Sequence, residues 1–369
     1  MQLDMPPRRG FARLLRIAVG AALMVIATLL CGEVAIRMVT PPTPPGMFVA
    51  DADLGFRLAA HFRGEERTAN AAIPLAFNSW GLRDREYGAR PQGGLRIYVL
   101  GDSFVFGHQV QIEDTFSKVL ERALQLRLPT ARVEVVNGGV PRYGTLQEAG
   151  LFAKTAELVR PDVVLLAVFV GNDVLDNLEF ARAHADGKGR HGTNLLDRLR
   201  VRSQLYMWVR RRRHAADQRQ RVLEGRAMES HAVAPSAEME RGLALTEAAI
   251  AKLAAAVQER GARFAVLLIP SAAQVYPALW QEVIGRHHLQ AAAYDNREPN
   301  VRLQSFAQRH GIPLLDLLSV LQAHQAERLY FTLHWNLRGH AVAGEAAAAF
   351  LLDSGVLAVP ATAAAAVGQ

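Results

Sequence analysis

A single cysteine, Cys31, among 369 residues excludes any intrachain disulfide, so the fold must rest on packing and hydrogen bonds. It also leaves the redox compartment open. No Cys/His or His-Glu-x-x-His spacing suggests zinc, and no internal repeat is present. The glycines around residue 101 lack the lysine and spacing of a phosphate-binding loop, and "GDSFV" lacks the second glycine of a Gly-x-Ser-x-Gly elbow. Acidic residues are outnumbered, 35 against 42 basic, for a formal charge of +7. That excess is local: Arg8, Arg9, Arg13 and Arg16 crowd the start and Arg210, Arg211, Arg212 and Arg213 the middle. Such clusters resemble membrane-facing charge more than a groove tracking a phosphate backbone, and no nucleic-acid partner is expected.

Long apolar runs are rare too. The exception, "IAVGAALMVIATLLCG" at 17–32, follows four arginines and precedes Glu33 and Arg37. Its roughly 16 uncharged residues span about 24 Å, and Val34, Ala35 and Ile36 lengthen it if the flanking charges snorkel. An uncleaved signal anchor and a cleaved secretory signal compete; Leu29 and Leu30 before Cys31 make a poor lipoprotein processing site, and no small-x-small site follows, which favours the anchor. The arginines place the N-terminus in the cytoplasm and everything after residue 40 outside, the periplasm of a Gram-negative cell, with the chain single-pass in the inner membrane. "PPTPPG" at 41–46 then reads as a stiff spacer.

Beyond it, 95–100, 133–140, 162–170, 263–270 and 312–317 are short, continuously apolar strands. Helical patterns at 114–126, 146–159, 238–259 and 339–352 lie among them. Strands apolar on both faces alternating with helices imply an α/β sandwich around a mostly parallel sheet. Residues 181–237 interrupt the pattern: Gly187, Gly189 and Gly192 mark a flexible loop, followed by an Arg-rich helical insertion. The insertion is either a solvated excursion or an interfacial helix on anionic lipid, with Leu205, Tyr206, Met207 and Trp208 dipping inward.

In such a sheet, ligands sit outside the carboxyl ends of the strands. "IYVLGDSFVFG" at 97–107 therefore delivers Ser103 to the sheet's upper edge, with Gly101 permitting a tight turn. A serine hydroxyl needs a base within reach and donors for the oxyanion it creates. Asn172 in "FVGNDV" is a donor candidate, and "NGGVPRYGT" at 137–145 is a third glycine-bearing turn after a strand. The base candidate is His334 in "FTLHWNLRGH". His340, one turn into the following helix, reads as structural. His108 is a rival base, expected on a loop pointing away, and Trp335 and Asn336 read as packing and capping residues.

Gly101-Asp102-Ser103, the glycine turn after Asn137, Gly171-Asn172-Asp173 and His334 resemble, in order, the four blocks of the SGNH hydrolases, also called GDSL esterases. The resemblance covers roughly residues 75–352, and "NSWGLRDREY" at 78–87 resembles a lead-in of membrane-anchored bacterial members. It implies a flavodoxin-like three-layer α/β/α sandwich with neither metal nor organic cofactor. It further implies Ser103 as nucleophile and His334 as base, with Asn172, the Ser103 N–H and a backbone donor from Arg142, Gly139 or Gly144 as oxyanion hole, supported by Asp102 and Asp173. The chain divides accordingly into a basic N-terminus (1–16), an anchor (17–36), a Pro-rich tether and lead-in (37–74), the hydrolase-like domain (75–356) and a flexible tail (357–369).

Two positions depart from the pattern. Phe331 and Thr332 stand where the family places an aspartate before its histidine; the Thr332 hydroxyl, a backbone carbonyl or Asp316 are stand-ins. Arg142 stands at the second-block glycine, where it crowds the pocket or binds an anionic substrate. The leading expectation is an anchored serine esterase acting on a small ester or an O-acylated envelope glycan, by hydrolysis or by transfer to a sugar hydroxyl. The alternative is a pseudoenzyme that binds a glycan or scaffolds an envelope assembly.

Overall fold

The five continuously apolar stretches form one parallel sheet, because a strand buried on both faces can pair only where helices cover both sides. The computed structural model describes residues 8–39, 44, 46–68, 71–90, 93–185, 203–206, 208–209, 212 and 226–357. The first seven residues, most of the expected spacer, the glycines at 187, 189 and 192, most of the Arg-rich insertion and the tail from 358 lie outside them.

After an N-terminal helix, α1 (Arg8–Val39), the chain makes two antiparallel hairpins, β1 (Phe48–Asp51) with β2 (Gly55–Leu58) and β3 (Arg63–Arg67) with β4 (Ala72–Ala76). The main sheet follows: β5 (Leu95–Gly101), the single turn α2 (Ser103–Phe106), α3 (Phe116–Arg127), β6 (Val133–Gly139), α4 (Thr145–Val159), β7 (Val163–Phe169) and α5 (Asp173–Ala185). It is completed by α6 (Ala237–Gln258), β8 (Arg263–Ile269), α7 (Ala272–Val275), α8 (Pro277–Arg286), α9 (Glu298–Arg309), β9 (Leu314–Asp316), α10 (Leu317–Ala323) and α11 (Leu337–Asp353). The strand order is β6-β5-β7-β8-β9, all parallel.

Strand residues alternate between two cores. Tyr98, Leu100, Leu166 and Leu268 face α4, α6 and α9 through Phe152, Leu253 and Phe306. Ile97, Val99, Leu165 and Leu267 face α3, α10 and α11 through Leu120, Leu321 and Leu351. This is the expected three-layer α/β/α sandwich, and the expected strands and helices agree with it to within a few residues. The last strand is only three residues long.

Two regions differ from the sequence reading. Within 37–74, expected as Pro-rich tether and lead-in, Met47, Leu54 and Leu58 belong to the folded body and enter the same core as α4. The chain beyond Phe169 also runs straight into a 13-residue helix, α5, that passes the expected start of the insertion at 181.

In α1 the segment Arg13–Met38, 26 residues with mean hydropathy 2.4 and no burial, is a candidate membrane span. At about 1.5 Å per residue it exceeds a roughly 30 Å hydrocarbon core. It outruns the expected 17–36 at both ends, and near its C-terminal end Glu33 and Arg37 pair one turn apart within the helix, 2.9 Å. The Glu33 carboxylate also accepts from Ser203 Oγ and from the N–H groups of Gln204 and Leu205, at 2.8 to 2.9 Å, and so caps a short helical stretch of the insertion.

Candidate active site

Gly101 and Gly139 lie side by side at the ends of β5 and β6, and β7 flanks β5 on its other side. Both glycines are forced by proximity. A Cβ on Gly101 would sit 2.3 Å from Val105, and one on Gly139 would sit 2.0 Å from the Phe106 nitrogen. The chain can therefore turn back over the sheet edge and open α2 with Ser103 at its first position.

Asp102 caps this turn by accepting from the Phe104 N–H at 2.8 Å, and Ser103 Oγ stands 3.4 Å from the other oxygen of the same carboxylate. The cap leaves the Ser103 N–H without a partner inside the helix. Burial raises the Asp102 carboxyl to about 6, against the Phe104 bond and the charge of His108. Gly107, at φ 78°, ends the turn. Arg83, fully buried, fixes it from outside: its guanidinium donates to the carbonyls of Phe106, Gly107 and Val110 at 2.6 to 2.8 Å.

His334 arrives from across the sheet on a tight turn. The Phe331 N–H donates to the His334 carbonyl at 2.9 Å, Tyr330 pairs with Trp335, and Asn336 caps α11. Trp335 packs edge-on against Phe104 at 4.9 Å between ring centroids and anchors the turn in the core. His334 Nε2 thereby stands 2.8 Å from Ser103 Oγ. Burial, helped by the neighbouring His108 and opposed by Glu66, depresses this imidazole to about 4. His340 is buried, takes the Phe116 N–H on Nδ1 at 3.2 Å and is structural, as expected.

Neither side chain expected to orient His334 does so. Thr332 is exposed on the tip of the turn and makes no bond to the ring. Asp316 caps α10 at Leu318 and accepts from Asn300 and Gln304 at 2.8 Å each, so its carboxylate is committed elsewhere. Among the described residues no acceptor meets Nδ1 of His334.

His108, expected to point away, instead sets its ring 5.2 Å from that of His334. Its Nδ1 is 2.7 Å from Glu66 Oε1, and Glu66 Oε2 accepts from the Gln109 N–H at 3.1 Å. Burial works against the Glu66 charge, but these bonds, His108 and Arg83 leave its carboxyl below the ordinary range. Sequence reasoning missed Glu66 because it lies on β3, a strand of arginines and glutamates that reads as solvated.

The oxyanion candidates fare unequally. Asn172 Nδ2 donates one proton to Asp176 at 2.7 Å, which orients the amide, and its second N–H remains. The Gly139 N–H is taken by Asn137 Oδ1 at 3.0 Å, so this glycine serves close packing and not donation. Arg142 is exposed with φ 72°, a backbone suited to the glycine it replaces, and its side chain lies outside the core instead of crowding a pocket. Asp173 is buried and bonded to the Phe169 N–H at 3.0 Å. Burial, followed by the charges of Glu148 and Asp102, drives its carboxyl well upward. Among the described residues no group of three or more His, Cys, Asp or Glu side chains is placed to hold a metal ion.

The model of the GDSL-like lipase/acylhydrolase family matches residues 99–342, about two thirds of the chain. The chain belongs to that family. As a GDSL-like acylhydrolase it is a hydrolase of carboxylic esters, built on the family's parallel sheet. Solved structures similar to this acylhydrolase include a lipase/acylhydrolase from Enterococcus faecalis at 13% identity, covering 70% of this chain and 96% of that one with a TM-score of 0.40. Others are the psychrotrophic esterase EstA of a Pseudoalteromonas species, at 10% identity, 70% and 97% coverage and 0.40, and an acetylxylan esterase of Geobacillus stearothermophilus, at 11%, 73% and 98% and 0.39. None of the curated proteins compared with the chain matches it.

Proposed function

We propose that this acylhydrolase is an exported, membrane-anchored serine esterase that removes small O-acyl groups, such as acetyl on envelope carbohydrate, or passes them to a sugar hydroxyl. The observation that carries the reading is the 2.8 Å contact between Ser103 Oγ and His334 Nε2. Ser103 attacks the ester carbonyl while His334 Nε2 takes its proton. The oxyanion of the tetrahedral adduct is held by the Ser103 N–H and the second N–H of Asn172. Collapse breaks the C–O bond, and His334 returns the proton to the leaving alcohol. Water, or a sugar hydroxyl, then gives its proton to His334 and attacks the acyl-serine; collapse breaks the bond from Ser103 Oγ to the acyl carbon, and His334 returns the proton to Ser103. The apolar span of α1 and the arginines before it support the anchor with the domain outside the cytoplasm.

The full chain in detergent is expected to release p-nitrophenol from its acetyl ester and to take a fluorophosphonate on Ser103. Ser103→Ala should abolish both, and Asn172→Ala should lower kcat by about 10²-fold to 10³-fold. A folded wild-type sample silent in both assays would overturn the esterase reading in favour of a binding or scaffolding protein.

A further inference from the structure

A histidine that takes a proton from serine acquires a charge and must hold one ring plane while doing so. In serine proteases a buried aspartate on Nδ1 performs both tasks, and disabling it costs about 10⁴ in kcat. Here the corresponding positions are Phe331 and Thr332, both exposed, and Asp316 is committed to α10.

The flank of the His334 ring is nevertheless occupied. His108 lies edge to face with it, 5.2 Å between centroids at 63°, and Phe106 backs His108 at 5.2 Å. Glu66 reaches in from the hairpin, one oxygen 2.7 Å from His108 Nδ1 and the other on the Gln109 N–H, so the carboxylate is fixed at both ends. The pair is largely shielded, with side-chain exposures of 27% and 13%. We propose that Glu66 and His108 are positioning residues that take over the tasks of the missing acid, the His108 ring holding the plane of His334 and the Glu66 carboxylate offsetting the charge His334 gains.

The inference rests on the esterase reading. Several charged or titratable groups surround this cluster. His340 approaches His334 from α11, Arg83 faces Glu66 from the lead-in, and Asp102 faces His108 from the end of β5. Within it, Glu66 favours a proton on His334 and His108 opposes one. The two members therefore have opposite signatures, which a purely structural pair would not.

The test compares wild-type full chain with Glu66→Gln, Glu66→Asp and His108→Phe on p-nitrophenyl acetate, recording kcat, KM and the acid limb of kcat/KM against pH. Glu66→Gln should lower kcat at least about tenfold, well short of the roughly 10⁴-fold cost of a directly bonded acid. KM should change by less than about twofold, since an orienting group acts on the transition state more than on ground-state binding. Its acid limb should move to lower pH, that of His108→Phe to higher pH, and Glu66→Asp should recover part of the loss. An active wild type whose Glu66→Gln and His108→Phe variants keep both kcat and acid limb overturns the inference and leaves the esterase reading standing. Lower kcat with an unmoved limb and a lower melting temperature overturns it too, in favour of packing alone. A wild type with no activity and no fluorophosphonate label removes both.

Discussion

Arg142 holds φ 72°, where an L side chain crowds its own carbonyl at a cost of roughly 1 to 2 kcal/mol and glycine does not. Its exposed side chain interacts with its surroundings, so the backbone effect is read between two variants that both remove it. Arg142→Gly is expected to be more stable than Arg142→Ala by about 1 kcal/mol, reduced somewhat by the greater freedom of glycine in the unfolded chain, and urea unfolding of the two variants would measure it. The same residue shows what a motif can and cannot reveal. The alignment of short blocks marked 142 as a glycine-type position, and the backbone has that conformation. Spacing alone did not say that the arginine points outward, nor that Asn137 uses the Gly139 N–H at 3.0 Å. Hydrogen-bond allocation depends on where neighbouring strands put their side chains, which no local pattern encodes.

Among the elements, the strands of the main sheet were legible because burial on both faces leaves mostly apolar residues: β7 is an unbroken run and β8 is one after Arg263, while β5 and β6 carry the buried Arg96 and Glu134, which pair across the two strands at 2.7 Å. The hairpins were not. β3 is Arg-Gly-Glu-Glu-Arg, and β4 carries a proline and buries alternate residues, so neither offers the continuous run of a central strand. The hidden partner Glu66 comes from that unreadable element. The lead-in at 78–87 was legible as a motif without a purpose, and Arg83 supplies one. Its three carbonyl bonds hold the backbone between Phe106 and Val110, the far side of the turn that begins with Ser103. Arg83→Leu leaves these buried acceptors unsatisfied, at roughly 1 to 3 kcal/mol each when nothing replaces the donor. A loss of about 3 kcal/mol or more in urea unfolding is expected, together with slower ester hydrolysis.

Across the whole molecule, buried titratable groups set the response to pH. Burial depresses His231, His334 and His340 to about 4, 4 and 3, so the unfolded chain binds more protons than the folded one between about pH 6.5 and those values. Stability from these groups falls as pH drops through that window. Glu148 acts in the opposite sense. Among the described residues neither of its two buried oxygens has a hydrogen-bond partner. Burial, then the charges of Asp102 and Asp176, raises its carboxyl well above the ordinary value. The folded state therefore keeps a proton that the unfolded state loses above about 4.5, and the cost to folding grows with pH above that point. Glu148→Gln should raise the melting temperature more at pH 8 than at pH 5, measured by calorimetry at both. An equal change at the two values would mean that the carboxyl does not resist ionisation.

The two glycines that abut at the sheet edge also decide how this cleft can diversify. With 2.3 Å and 2.0 Å to the nearest atoms, positions 101 and 139 have no room even for a methyl group. Thr332 and Leu333 stand free at the rim, Leu333 with 71% of its surface open. A library randomising all four sites and selected for ester cleavage should return glycine alone at the first two and a broad mixture at the others. New substrate preferences would then be acquired at the lip of the cleft, on the turn that carries His334, while its floor stays fixed.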